Sequence, residues 1–127
     1  MARVTGVGGI FLRARDPQAL GAWYQRHLGL PYENGFAKFA WRDDDDADAC
    51  TIWCAFDADT TYFGVITQQV MINFRVDNLD DLLAKLAADG VEIIPERGDE
   101  SNGRFAWIVD CEGNRVELWE PAGPRKG

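Results

Sequence analysis

The chain is poor in the residues that most often carry chemistry. It holds one histidine, His27, in 127 residues, so a metal site built from several imidazoles has no basis here. Ser101 is the only serine. It lies in a polar stretch, 98–103, read as a loop, with no identifiable triad partner, which argues against Ser-based hydrolysis. The three cysteines, Cys50, Cys54 and Cys111, are odd in number and poorly spaced for a disulfide framework, and suit a reducing compartment. No apolar run approaches the ~20 residues that cross a bilayer. The start, Met1 to Gly6, lacks the long apolar stretch of a signal peptide. The expectation is a cytoplasmic protein with no membrane partner. Cations are also in deficit, 13 Lys and Arg against 21 Asp and Glu, for a net charge of −8. Nucleic acid is therefore not expected as a partner. The acidic balance favours solubility and would attract a cationic ligand. Gly-rich phosphate loops of the P-loop or dinucleotide pattern are missing too.

What is present is an ordinary globular balance, 46% apolar and 27% charged, at a length that favours one domain with its own core. Five Trp, seven Phe and three Tyr are generous, and some of these rings are candidates for a pocket wall rather than a core. Two stretches repeat. Set without gaps, 38–53 over 104–119, Phe39-Ala40-Trp41 falls on Phe105-Ala106-Trp107, Asp44 on Asp110, and Ile52-Trp53 on Leu118-Trp119. Upstream, Ile10, Leu12 and Ala14 alternate with Gly9, Phe11 and Arg13, as Ile72, Phe74 and Val76 do with Met71, Asn73 and Arg75. Both read as half-buried strands.

Each strand runs into a helix start. Asp16 caps the first with Pro17 at its first position, and Asn78 caps the second with Asp80 and Asp81 in its first turn. Leu20, Trp23, Tyr24 and Leu28 form one apolar stripe; Leu79, Leu82, Leu83 and Leu86 form the other. Gly29 and Gly90 supply the stops. Strands are expected over 36–41 and 50–56, then over 91–95, 105–109 and 115–119. The fold class is thus α+β: two βαβββ units making a curved mixed sheet around a shared cleft. Unit one covers about 4–56, a connection 57–68, and unit two about 69–120. Gly9, Phe11, Arg13, Met71, Asn73 and Arg75 are expected to face the cleft, a mixed-polarity set that suits a pocket wall.

These features resemble the vicinal oxygen chelate superfamily, which contains glyoxalase I, the bleomycin resistance proteins and the extradiol dioxygenases. The residues that carry the resemblance are 10–16 into Ala22-Trp23-Tyr24 and Leu28-Gly29, then Phe74-Arg75-Val76-Asp77-Asn78-Leu79-Asp80. Sharpest is Asp110-Cys111-Glu112-Gly113-Asn114-Arg115-Val116-Glu117-Leu118, similar to the family's D-P-x-G-N-x-x-E-L ending. The resemblance implies four metal-ligand positions, which fall here on Gly9, Thr51, Met71 and Glu117. Only Glu117 is a good ligand for a hard divalent ion. His27, near the end of the first helix, is read as a helix-end residue. No metal and no cofactor is therefore expected, with a divalent metal as the alternative.

The acidic run Asp43 to Asp46 with Asp48 lacks the Gly and distal Glu of an EF-hand loop and reads as a solvated hairpin loop. Cys50 and Cys54 share a strand face as reduced, buried thiols. Acidic neighbours make Cys111 a poor nucleophile. What remains is Glu117 facing Arg13 and Arg75 across an aromatic cleft. The ligand-binding set is Phe11, Arg13, Thr51, Trp53, Asn73, Arg75, Glu117 and Trp119, with Glu117 as the one candidate catalytic group. The alternative is an internal Arg–Glu pair that merely satisfies buried charge. Tyr62 and Phe63 either close over the cleft or sit at a dimer seam. The expected function is metal-independent binding of a flat or cationic small molecule, in a homodimer like the bleomycin resistance branch. The other readings are a lyase, isomerase or dioxygenase-like enzyme using Glu117 or an incomplete metal site, and a module that makes only protein contacts.

Overall fold

A computed structural model describes residues 2–41, 49–65 and 67–122. The acidic run at 43–48 and the tail from 123 lie outside the described residues. The element order is β1 (Val4–Ala14), α1 (Pro17–Leu28), β2 (Tyr32–Glu33), β3 (Phe36–Ala40), β4 (Cys50–Asp57), β5 (Val70–Val76), α2 (Leu79–Ala88), β6 (Glu92–Glu100), β7 (Gly103–Val109) and β8 (Arg115–Pro121). Two compact units result, one of residues 8–72 and one that joins residues 1–7 to 73–127. The first seven residues thus belong with the second unit: Arg3 and Asp77 exchange backbone and side-chain bonds, and Thr5 Oγ1 donates to Arg75 O.

In the first unit the strands lie in the order β2-β3-β4-β1. β1 and β4 are parallel, with Ile10 beside Trp53 and Phe11 beside Cys54, while β3 and β4 form an antiparallel hairpin. Asp16 is the extended N-cap of α1, its carboxylate accepting from Ala19 N at 3.1 Å, and Pro17 follows, where a missing N–H costs nothing. The helix packs differently from its leucine-and-aromatic stripe. Gly21 is buried, Leu20 and Tyr24 are half-buried, and Trp23 and Leu28 stand exposed. The reason is local. A Cβ on Gly21 would lie 2.2 Å from the ring of Tyr32, so the helix approaches the sheet through a glycine. Tyr24 and Tyr32 then flank Trp53.

In the second unit the order is β5-β8-β7-β6, with β5 and β8 parallel and the rest antiparallel. The leucine spacing of α2 holds: Leu79, Leu82 and Leu83 are buried with Val76, Ala106 and Leu118, and Leu86 packs against them. The start of α2 is doubly satisfied. Asn78 Oδ1 accepts from Asp81 N, and the buried Glu120 carboxylate accepts from Leu79 N at 2.7 Å. Outside this core, Arg104 makes a two-pronged pair with Asp80. The 98–103 segment is not a free loop: β6 continues to Glu100, and only Ser101 and Asn102 turn the chain into β7. Trp119 explains part of this extension, because its indole donates to Asn102 O at 2.9 Å.

Candidate functional site

In the second unit, strand register sets which side chains share a face. Asn73 pairs with Glu117 and Arg75 with Trp119 across β5 and β8, and Glu117 pairs with Trp107 across β8 and β7. Partners in register project to the same side, and alternate residues join them. Asn73, Arg75, Trp107, Glu117 and Trp119 therefore line one face. Leu118, Val76 and Ala106 take the opposite face, under α2. Glu117 is 1% exposed and Asn73 3%. Asn73 Nδ2 donates to Glu117 Oε1 at 2.5 Å, and Trp107 Nε1 donates to Oε2 at 2.9 Å. Each carboxylate oxygen thus holds an N–H donor. Asn73 Oδ1 is buried and, among the described residues, has no hydrogen-bond partner. Beside this group, the rings of Phe105 and Trp119 lie parallel, their centroids 6.3 Å apart. Gly103 makes room for that indole. Its φ is +140°, and a Cβ there would meet Trp119 Nε1 at 2.6 Å and Glu120 O at 2.4 Å.

In the first unit, the face of β1 opposite α1 carries Phe11 and Arg13. Phe11 packs on Phe56, which meets Phe63 edge-on and stacks with Tyr62. Arg13 is committed to the connection. Its Nε donates to Gln68 O at 2.6 Å, one terminal nitrogen to Ala58 O and Thr60 O, the other to Val65 O, and the guanidinium lies 5.0 Å from the centre of the Phe63 ring. Its four bonds tie the described part of the 57–68 segment to the end of β1. Phe63 has no exposed surface.

Thr51 and Trp53 require correction. Expected on the cleft side as counterparts of Glu117 and Trp119, they lie on the α1 side of β4. Trp53 is a buried core ring against Tyr24, and Thr51 Oγ1 accepts from Trp41 Nε1 at 2.8 Å. The physical reason is register. Phe11 and Asn73 sit equally far before the caps Asp16 and Asn78, and their partners are Cys54 and Glu117. The structural counterpart of Glu117 is therefore Cys54, and that of Trp119 is Phe56. Cys54 is half-buried, its Sγ 3.6 Å from Gly35 O, and burial pushes its thiol pKa up. The spacing back from the helix caps is the signal that would have identified it.

Of the four positions implied for metal ligation, three hold Gly9, the fully buried Met71 and Glu117, and the register moves the fourth from Thr51 to Cys54. Among the described residues, no group of three or more His, Cys, Asp and Glu side chains is gathered to hold a metal ion. His27 sits in the last turn of exposed α1, its ring 4.8 Å from that of Trp23. No described helix is long and apolar enough to cross a membrane.

The model of the glyoxalase/bleomycin resistance protein/dioxygenase superfamily matches residues 6–118. The chain belongs to this superfamily. Among solved structures, the methylmalonyl-CoA epimerase of Mycobacterium tuberculosis is 25% identical with a TM-score of 0.63, covering 94% of this chain and 90% of its own. A variant of the Streptomyces coelicolor methylmalonyl-CoA epimerase, in complex with 2-nitronate-propionyl-CoA, is 18% identical with a TM-score of 0.75, covering 98% and 100%. A Legionella pneumophila protein described as an NAD-dependent benzaldehyde dehydrogenase is 12% identical with a TM-score of 0.61, covering 90% and 98%. The last two, at such identities, speak for the fold alone. No curated protein matches the chain.

Proposed function

We propose that this superfamily member binds a flat small molecule without a metal ion, on the face that carries Asn73, Arg75, Glu117 and Trp119. One observation carries the reading: the Asn73–Glu117–Trp107 group. A buried carboxylate is oriented by two N–H donors, and beside it stands a buried acceptor, Asn73 Oδ1, that has no donor. An unmatched buried acceptor costs about 1–3 kcal/mol. A ligand N–H or O–H placed on it recovers that cost and selects ligands by their donor. The Phe105–Trp119 pair offers aromatic surface next to it.

The donor set favours the metal-free form. A glycine, a thioether and a half-buried thiol whose pKa burial raises do not fit a hard divalent cation. Both Glu117 oxygens already hold N–H groups. Arg13 drops out of the ligand set in this reading, because its guanidinium serves the 57–68 loop. Phe11 drops out as well, because it packs on Phe56 within the first unit. A cytoplasmic homodimer completes the reading, and light scattering on the purified chain tests the dimer.

A second reading has Glu117 move a proton to and from a bound substrate. The buried, oriented carboxylate favours it, as does the likeness to the M. tuberculosis epimerase. A thermal-shift screen of flat compounds against wild type and Glu117→Gln tests the site. Compounds that raise the wild-type Tm by several degrees and lose that effect in the variant are expected. Equal stabilisation of both proteins, across all hits, would overturn the assignment. Solvent deuterium entering a stabilising compound would favour the second reading.

A further inference from the structure

The first unit holds an open groove of about 1090 Å3, where β1 passes into α1, beyond the C-terminal ends of the parallel strands β1 and β4. Open sheets commonly place ligands outside such strand ends. Arg13, Arg15, Asp16, Leu20, Trp23 and Tyr24 line it. Two arginines against one aspartate make this lining net positive in a chain of net −8. Two of the three charges are already used. Arg13 is held by four backbone carbonyls, and Asp16 caps α1. Arg15 is exposed, and its side chain makes no ion pair or hydrogen bond among the described residues.

Trp23 lines the same groove and is 52% exposed. Tyr24 meets it edge-on at 5.3 Å and the His27 ring lies 4.8 Å away, so two neighbouring rings pack against an indole that still keeps half its surface open. An open aromatic surface and an uncommitted guanidinium lining one groove suit a planar ring that carries one anionic group. The ring stacks on the indole, and the anion takes the two-pronged bond that guanidinium geometry offers. A smaller adjoining groove, about 590 Å3, shares Arg15 and Asp16 and adds Asp57. Its second carboxylate opposes a doubly charged ligand.

We propose that this groove is a binding site for planar aromatic monocarboxylates, with Trp23 as the stacking surface and Arg15 as the anion partner. It is independent of the Glu117 reading. The test is a titration of the isotope-labelled full chain with 2-naphthoate, followed through the indole N–H signals of its five tryptophans. The Trp23 signal is assigned by its loss in Trp23→Phe. A saturable shift of that signal is expected. Arg15→Gln should weaken naphthoate by about fivefold or more and leave the neutral 2-naphthamide unchanged. Both side chains are exposed, so the variants keep the fold. Shifts confined to Trp107 and Trp119, an unchanged naphthoate affinity in Arg15→Gln, or no saturable shift at all would overturn the proposal.

Discussion

Glu117→Ala and Glu117→Gln should behave very differently. Alanine leaves the Asn73 amide and the Trp107 indole N–H without their acceptor, in a place that is 1% exposed at Glu117. Each buried unmatched donor costs about 1–3 kcal/mol, and removing one member of a buried polar group commonly costs about 3–5 kcal/mol in all. For a chain of this size, that lowers Tm by roughly 10–20 °C. Glutamine has a way out. Its carbonyl accepts from Trp107, and its amide donates to Asn73 Oδ1 after a half-turn of the Asn73 amide, filling the acceptor that lacks a partner. Glu117→Gln should therefore stay within about 1 kcal/mol of wild type. Urea melts of the three proteins, with equal m-values as the check on two-state behaviour, measure it. If glutamine destabilises as much as alanine, the carboxylate charge itself is structural, as an internal ion pair requires, and the binding reading loses its main support.

Gly21→Ala should destabilise the first unit by about 1–3 kcal/mol despite the helix propensity of alanine, because the new methyl would lie 2.2–2.5 Å from three Tyr32 ring atoms. Adding Tyr32→Ala should reverse most of the clash, and a double-mutant cycle by urea melts measures the coupling. Arg13→Ala frees four carbonyls of the 57–68 loop, at a cost of about 2–4 kcal/mol. Hydrogen exchange should then rise in that loop before it rises elsewhere, and Arg13→Lys should not restore protection, since an ammonium lacks the fork. Alkylation followed by mass spectrometry should modify exposed Cys111 first, Cys54 slowly because burial raises its pKa, and buried Cys50 last.

Much of the fold was legible because its signals are local. Asp16 and Asn78 are caps in both sequence and structure, and the leucine spacing of α2 leads directly to the buried Leu79, Leu82 and Leu83. Alternation assigned Asn73 and Arg75 to one side of their strand, but their parallel pairing with Glu117 and Trp119 is a matter of register, which alternation alone does not carry. Thr51 and Trp53 were misplaced because the shared Phe-Ala-Trp motif sits at different heights in its two hairpins. Phe36, not Trp41, is the register counterpart of Trp107, since Phe36 pairs with Cys54 as Trp107 pairs with Glu117. The chain between Ala40 and Cys50 is longer than that between Val109 and Arg115, and a gapless alignment cannot absorb the difference. Trp23 and Leu28 matched a helical stripe, yet α1 meets its sheet through Gly21, and apolar periodicity does not register a glycine contact. The role of Arg13 was hidden for another reason: its partners are backbone carbonyls, which leave no mark in side-chain patterns.

The most direct test of the central claim is metal analysis of the untagged chain, purified without added metal, by elemental mass spectrometry and by melts with Zn, Mn, Fe(II) and Ni. Metal far below one ion per chain and no specific rise in Tm are expected, since only Glu117 among the four ligand positions is a carboxylate. One tightly bound ion per chain, lost in Glu117→Ala, would contradict that claim.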